Sequence, residues 1–177
     1  MKKPLKIALY VLLALVLIVL AYVIYVFAAY YRVEDWQTLS VVHCDAASAA
    51  PMEGAPQTGV TYRVSSANVG FGAYSDDYSF FMDGGKQTRA PSKAIVEKNM
   101  DGIVATVQGM AADFTFLQEI DAGPSTHAYG IEEAGRMRTE TQLDSAHALN
   151  YKCAFVPYPI PPIGRVNTGL MTLSTAP

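Results

Sequence analysis

Cysteine is scarce in this chain, with Cys44 and Cys153 the only two among 177 residues. One pair does not make a small disulfide-rich scaffold, so that class of protein is excluded. Two alternatives stay open for the cysteines: a disulfide between them, or burial of Cys153 as an apolar residue within a strand. Neither cysteine has a histidine at zinc-ligand spacing, so a zinc site is not expected.

Charge is also scarce, at 16% of residues against about 25% in an average soluble domain. Hydrophobic residues make up 51% of the chain, which excludes an intrinsically disordered protein. Four of the 13 basic residues and none of the 16 acidic residues precede Val33, which leaves the remainder with a net charge of −7. Such a surface repels phosphate backbones, so nonspecific nucleic-acid binding through a basic face is not expected.

Charged residues are absent from residues 7–29, which form an apolar run of 23 residues. A helix of that length spans about 35 Å and crosses a hydrocarbon core of about 30 Å. A buried core helix is a poor alternative because the run has no polar face to meet water. A cleaved signal peptide usually has a shorter apolar stretch, of about 7–15 residues, so the run favours an uncleaved anchor in the lipid bilayer.

The charges that flank the run predict its orientation. Lys2, Lys3 and Lys6 precede it, whereas only Arg32 follows closely. The positive-inside rule then places the N-terminus in the cytoplasm and the chain from Val33 onward outside the cell membrane. Aromatic side chains cluster toward the outer half, as is typical of a membrane interface: Tyr22, Tyr25, Tyr30, Tyr31 and Trp36.

No internal repeat or heptad array divides the rest of the chain. Small residues and proline dominate residues 45–58, a composition typical of a tether. A short strand is predicted just before it, at residues 39–43. The sequence therefore predicts three parts: a cytoplasmic start and membrane anchor at 1–32, an extracytoplasmic linker at 33–58, and a folded domain at 59–177.

The first half of that domain has the pattern of a βαβ unit. Apolar residues alternate with polar ones from residue 60, which predicts a strand that ends near Asn68. Ser92 is placed to cap a helix that runs to about Ala111, with an apolar stripe along one face: Val96, Met100, Ile103, Val107 and Met110. A second strand follows at 114–117 and ends in Gln118 and Glu119. The helical crossover makes the two strands parallel.

The remaining segments are less regular. A loop of about twenty residues before Pro91 is dense in aromatic and acidic residues, and loops of that length are usually functional. Beyond the second strand we predict a helix from residue 132 to about 149 and a strand at 151–156. A proline-rich loop at 157–162 and a final strand at 169–174 complete the predicted α/β fold.

Asn68 and Glu119 are the candidate site residues because both follow parallel strands at their carboxyl ends. Ligands of open α/β sheets bind at that edge. A carboxylate beside an amide suits a hard divalent cation, which prefers oxygen ligands. The spacing alone is also explained by structural roles. Glu119 is then a surface acid at the end of a strand, and Asn68 is the residue that begins a turn.

Two segments carry a resemblance to a known family. Residues 65–70 (Ser-Ser-Ala-Asn-Val-Gly) and 116–120 (Phe-Leu-Gln-Glu-Ile) resemble the first two motifs of the endonuclease/exonuclease/phosphatase superfamily, which has the DNase I-like fold. Residues 168–174 are similar to its next conserved strand, and the aromatic loop is similar to that of a membrane-anchored bacterial branch. The resemblance covers residues 60–177.

The resemblance implies a DNase I-like α/β sandwich and metal-dependent hydrolysis of a phosphate ester of unknown type. It also implies that Glu119 binds the catalytic Mg²⁺ or Mn²⁺ and that Asn68 helps to hold the metal or the scissile phosphate. A bound metal ion polarises the phosphorus and neutralises charge on the leaving oxygen. One cation would also offset the acidic background of the domain locally.

The family's later motifs, an Asp-x-Asn pair and a near-terminal Asp-His pair, have no counterpart in the sequence. We therefore expect the chain to be the N-terminal part of the catalytic domain and inactive by itself. A surface binding or interaction module that retains the fold without catalysis is the alternative function.

Several charged residues near the two motifs have two interpretations each. His127 is expected to be a solvent-exposed loop histidine, with a phosphate contact as the alternative. Asp121 either supports Glu119 or is a strand-end acid without a role. Basic residues before the predicted helix either steer a phosphate or form a solvated face: Lys86, Arg89 and Lys93.

Overall fold

The structure is a computed structural model that describes residues 3–44 and 54–176. The chain divides into two compact units, Met1–Arg32 and Val33–Pro177. The first unit contains a single helix, α1 (Lys3–Ala28), whose 26 residues are long and apolar enough to cross a membrane. This confirms the expected N-terminal apolar helix, which is suited to a bilayer as a transmembrane or signal anchor.

The second unit is built on a mixed five-stranded sheet with the strand order β1-β4-β5-β3-β2. Its strands are β1 (Val41–Val42), β2 (Val64–Asn68), β3 (Phe114–Asp121), β4 (Asp144–Val156) and β5 (Gly164–Ser174). Only β2 and β3 pair in parallel, and the other three neighbouring pairs are antiparallel. The mixed α/β class is therefore confirmed. Residues 45–53 of the predicted linker lie outside the described residues.

Helix α2 (Lys93–Met110) is the predicted crossover between the two parallel strands. Ser92 caps it, since its side chain accepts a hydrogen bond from the Ile95 N–H at 3.3 Å. The helix ends where Ala111 takes a left-handed conformation, with φ of 45°. The buried residues of the helix are Val96, Met100, Val104 and Val107. This face differs slightly from the predicted stripe, because it includes Val104 and leaves Met110 exposed.

The second predicted helix is confirmed in its first half and wrong in its second half. Helix α3 (Glu133–Thr141) ends at Gln142, which is left-handed with φ of 56°, and β4 begins two residues later. The segment predicted as the end of the helix instead pairs with β5, with Ala146 opposite Thr172. Helix propensity is a weak signal, and here the hydrogen bonds to a neighbouring strand override it.

The strand boundaries also differ from those expected. β2 begins at Val64 rather than at residue 60, β3 continues through Glu119 to Asp121, and β5 begins at Gly164 rather than at 169. Terminal residues of an element are the part that sequence patterns locate least well.

One face of the sheet carries the hydrophobic core. Alternate residues of β3 and β5 point into it, and Leu117 and Met171 are 1% and 2% exposed. The largest core side chains come from α2, α3, β3 and β5: Met100, Leu117, Ile120, Met137, Met171 and Leu173. On the opposite face Phe116 and Leu170 are 42% and 45% exposed, so the described residues form one sheet rather than a complete sandwich.

Both cysteines are free thiols. The Cys44 N–H donates a hydrogen bond to Asp144 Oδ1 at 2.8 Å, at the start of β4. Cys153 lies nine residues further along the same strand, a distance of about 30 Å at 3.3 Å per residue. A disulfide requires Cα atoms within about 7 Å, so the two thiols do not pair in this fold.

Candidate functional site

Asn68 and Glu119 lie at the same end of the parallel strand pair. Asn68 is opposite Gln118 in the register, so Glu119 is the next residue along the neighbouring strand. Just beyond the pair, the Val69 N–H donates a hydrogen bond to Gln118 O at 3.0 Å, which holds the two strand ends together. The parallel arrangement that the βαβ pattern predicted is confirmed, whereas the chemical roles of the two residues stay predictions.

The Asn68 amide is fixed by the turn that follows it. Its Oδ1 accepts a hydrogen bond from the Gly70 N–H at 2.9 Å, which opens a 3₁₀ turn at Gly70–Gly72. The turn needs glycine at Gly72, which is buried with φ of 56° and whose added Cβ would lie 3.2 Å from the Met100 side chain. Asn68 itself is exposed and lines a cavity of about 620 Å³ between β2 and α2.

Glu119 has an unusual backbone conformation. Its φ of 56° is left-handed, within a strand and in a residue other than glycine. The register against β5 shifts at this position, since Gln118 pairs with Leu170 and Ile120 with Gly169. Bulges of this kind change the direction of a side chain and are common near active sites. The left-handed conformation costs about 1–2 kcal/mol, so the surrounding structure must hold it.

The Glu119 carboxylate is half-buried and makes no hydrogen bond or ion pair with another residue in the described ranges. Its charge nevertheless acts on Tyr74 in the aromatic loop. Partial burial, followed by the charges of Tyr78, Glu119 and Asp121, raises the pKa of the Tyr74 phenol above its usual range. The phenol is therefore protonated at neutral pH and within electrostatic reach of Glu119.

The aromatic loop has a defined structure beside the strand ends. The Tyr74 ring stacks on Tyr78, with centroids 4.5 Å apart and an angle of 28°. Phe71 meets the edge of Tyr74 at 5.6 Å and lies 4.5 Å from the His127 ring. Such pairs contribute about 0.5–1.5 kcal/mol each beyond their buried area. The aromatic loop is thus ordered by its own ring contacts, and its Tyr74 lies within electrostatic reach of Glu119.

A buried cluster of three ionisable side chains lies behind the strand ends: Asp121, His127 and Glu133, which are 0%, 4% and 0% exposed. His127 Nε2 lies 3.0 Å from Asp121 Oδ2. The expectation of a solvent-exposed His127 is therefore wrong. The loop after β3 folds inward, and the Ala90 N–H donates to His127 O at 2.9 Å.

Glu133 is the member of the cluster that sequence reasoning missed. Its Oε2 accepts a hydrogen bond from the Asp121 backbone N–H at 3.0 Å. Burial and the Asp121 charge raise the pKa of Glu133 to about 9, so its carboxyl is protonated at neutral pH. A glutamate in the first turn of a helix is usually solvated there, so nothing in the sequence marked this one as buried.

The basic side chains before α2 have mostly structural contacts. Arg89 donates to Pro162 O through Nε at 3.1 Å and Nη2 at 2.7 Å, which ties the proline-rich loop to the domain. Lys93 lies 3.6 Å from Glu97 on the same helix. Lys86 is exposed. The interpretation that this group steers a phosphate gains no support from Arg89 or Lys93.

Glu119 and Asn68 provide a carboxylate and an amide oxygen, which are donor types that Mg²⁺ and Mn²⁺ accept. Among residues 3–44 and 54–176, no three histidine, cysteine or acidic side chains are placed to enclose a metal ion. Mg²⁺ rarely needs such a cage, because one or two carboxylates commonly hold it while waters and substrate phosphates complete its shell. The unpaired Glu119 carboxylate and the Asn68 amide oxygen are donors of that type.

Comparisons of the chain with protein-family models, with curated proteins and with solved structures give no match. The resemblance to the endonuclease/exonuclease/phosphatase superfamily therefore rests on the motif residues alone.

Proposed function

We propose that the chain is a membrane-anchored relative of the metal-dependent phosphodiesterases and phosphatases of the endonuclease/exonuclease/phosphatase superfamily. One observation carries the proposal: the strained, unpaired Glu119 beside Asn68 at the carboxyl ends of two parallel strands. Left-handed residues other than glycine cluster at active sites and ligand clamps, where the surrounding structure supports their strain.

The residues at this edge have complementary chemical roles. The Glu119 carboxylate would hold a divalent cation, which would supply Lewis-acid polarisation of a phosphoryl oxygen. The Gly70 N–H fixes the Asn68 Oδ1, which leaves the amide N–H groups to donate to a phosphate oxygen. The protonated Tyr74 phenol is a further hydrogen-bond donor for an anionic ligand. Together these groups favour a phosphate ester as the substrate class.

Efficient hydrolysis also needs an oriented water and a group that takes its proton, help worth about 10²–10⁴-fold in rate. The family assigns that work to an Asp-x-Asn pair and an Asp-His pair, and the sequence contains neither. We therefore expect this chain to bind metal and phosphodiester without efficient turnover.

The test uses the full chain in detergent micelles with Mn²⁺ and dimethyl phosphate. Binding is measured as the Mn²⁺-dependent relaxation of the ³¹P signal. We expect enhanced relaxation for the wild type, its loss in Glu119→Gln, and its retention in the control Glu97→Gln, which removes an exposed carboxylate on α2. Equal enhancement in Glu119→Gln would refute the site. Turnover of bis-p-nitrophenyl phosphate that depends on Glu119 would overturn only the expected inactivity and would leave the proposed metal site in place.

A surface binding module is the second candidate function, and the aromatic loop favours it. A chain of ring contacts runs from Tyr74 to the proline-rich loop, with members partly open to solvent: Tyr74, Tyr78, Phe80, Phe81 and Tyr158. This function gains if metal and phosphodiester do not bind while Tyr158→Ala, at a side chain 70% exposed, reduces chemical crosslinking of the anchored chain to a second protein on intact cells.

We further propose that the N-terminus is cytoplasmic and the domain extracytoplasmic, and that a DNase I-like second layer covers the open sheet face. The lysines before the apolar run at residues 7–29 support the orientation, and exposed Phe116 and Leu170 support the second layer. Protease added to spheroplasts should remove a C-terminal tag. Protection of the tag in sealed spheroplasts, with cleavage after lysis, would reverse the topology.

A further inference from the structure

The strained Glu119 is held by hydrogen bonds on both sides of it. On the preceding side, Gln118 O accepts from the Val69 N–H at 3.0 Å. On the following side, the Asp121 N–H donates to Glu133 Oε2, also at 3.0 Å. The first bond belongs to the parallel strand pair, whereas the second comes from a side chain on α3.

We propose that Glu133 is a positioning residue for the Glu119 carboxylate. Glu133 positions the carboxylate indirectly: it accepts a hydrogen bond from the Asp121 N–H, and this bond fixes the strand just after the bulge. This inference rests on the function proposed above, since it assigns to Glu133 a part in metal binding at a site that it does not touch.

The burial of Glu133 argues for a specific role. An acid removed from water is costly unless a partner compensates it, and Glu133 is 0% exposed at the start of a helix. Its Oε2 has the Asp121 N–H as partner, while Oε1 is buried without a hydrogen bond in the described part of the chain. An apolar residue would fill the same space at lower cost. What the carboxyl adds is an acceptor for a backbone N–H inside an interrupted strand.

The neighbouring bonds extend the same support. Ile120 O accepts from Thr168 Oγ1 at 3.3 Å, on the strand at the other side of the bulge. Ile120 and Asp121, which pair with Gly169 and Thr168 after the register shift, thus each have an additional bond from a side chain. Loss of the Glu133 acceptor would leave a buried N–H unpaired and allow the bulge to relax toward an ordinary strand conformation.

The experiment compares three variants of the full chain in detergent micelles. Glu133→Gln keeps an acceptor oxygen, and Glu133→Met keeps the length of the side chain without a strong acceptor. Glu132→Gln, at the exposed neighbouring residue, is the matched control. Mn²⁺ affinity is measured by electron paramagnetic resonance, the fold by its melting transition, and the Asp121 N–H by hydrogen exchange.

We expect Glu133→Gln and Glu132→Gln to bind Mn²⁺ within about twofold of the wild type. Glu133→Met should bind about 10-fold to 100-fold more weakly while it melts cooperatively, the range typical of residues that orient a metal ligand. Wild-type affinity in Glu133→Met would overturn the proposal, as would an equally large loss in Glu133→Gln. If Glu133→Met does not fold, Glu133→Asp replaces it, because its shorter side chain withdraws the acceptor; wild-type affinity there would overturn the proposal.

Hydrogen exchange separates this inference from the proposed function. If the wild type binds no Mn²⁺, the proposed metal site fails, and the exchange rate then decides the role of Glu133. Faster exchange at Asp121 in Glu133→Met, with unchanged exchange in α2, supports the positioning of the bulge. Unchanged exchange at Asp121 would overturn it.

Discussion

His127 Nε2 lies 3.0 Å from Asp121 Oδ2, and both side chains are almost completely buried. His127→Ala leaves the Asp121 carboxylate without this neighbour and removes the ring that Phe71 contacts. Neither His127 Nε2 nor Asp121 Oδ2 makes a hydrogen bond among the described residues, so the substitution removes a close charge contact and the packing of a buried ring. We expect the free energy of unfolding to fall by about 2 kcal/mol. Pulse proteolysis of the full chain across a urea gradient measures it.

His43 supplies the control for this prediction. Its Nδ1 lies 2.8 Å from Asp144 Oδ2, but its side chain is 63% exposed. Exposed ion pairs contribute about 0–1 kcal/mol, so His43→Ala should be much milder than His127→Ala. Equal effects of the two substitutions would contradict the account of a buried cluster.

Glu133 predicts an unusual dependence of stability on pH. Burial raises its pKa to about 9 in the fold, against about 4.3 in an unfolded chain. The folded state therefore keeps a proton that the unfolded state releases between these values. This contribution to stability is complete below about pH 4 and is lost as the pH rises toward 9, with a slope of up to about 1.4 kcal/mol per pH unit.

In Glu133→Gln the side chain no longer binds a proton in the folded state that it releases in the unfolded state. We expect the variant to gain stability relative to the wild type steadily between about pH 5.5 and 8.5, measured from urea midpoints at each pH. The effect has the opposite sign to that of a salt-bridged acid. Parallel pH profiles for the two proteins would show that Glu133 is ionised in the fold.

Two glycines give a matched pair of stability predictions. A Cβ at Gly169 would lie 2.0 Å from Ala148 O on the neighbouring strand, a backbone atom that cannot move aside. Gly102, within α2, has nothing within 4 Å of an added Cβ. Gly169→Ala should destabilise the domain by about 1–3 kcal/mol or more, while Gly102→Ala should stabilise it by about 0.5–1 kcal/mol. Thermal melts of both variants provide the comparison, and a stabilising Gly169→Ala would contradict the strand packing.

Local signals in the sequence predicted the part of the fold that positions the candidate site. The Ser92 cap, the apolar stripe of α2 and the short flanking strands are each set by nearby residues, so they identified the crossover and its parallel strands. The end of β2 at Asn68 followed from the same pattern, and with it the proximity of Asn68 and Glu119 in the sheet, although β3 continues to Asp121.

Distant contacts determine what the sequence did not predict. Only Ala146, Ala148 and Leu149 among residues 144–149 are good helix formers, and the segment pairs with an edge of β5 instead. The left-handed Glu119 depends on a register shift against β5, and the burial of His127 and Glu133 depends on how α3 and its loop pack. The residue types at these positions do not indicate the conformation or the burial that they have in the fold.

A Mn²⁺ titration of the full chain tests directly whether Glu119 holds a divalent metal ion, as we propose. Electron paramagnetic resonance of free Mn²⁺ counts the sites and their affinity in wild type, Glu119→Gln and the control Glu97→Gln. We expect one saturable site per chain in wild type and control, weakened at least about 10-fold in Glu119→Gln. Equal binding by Glu119→Gln, or no saturable site in the wild type, would contradict it.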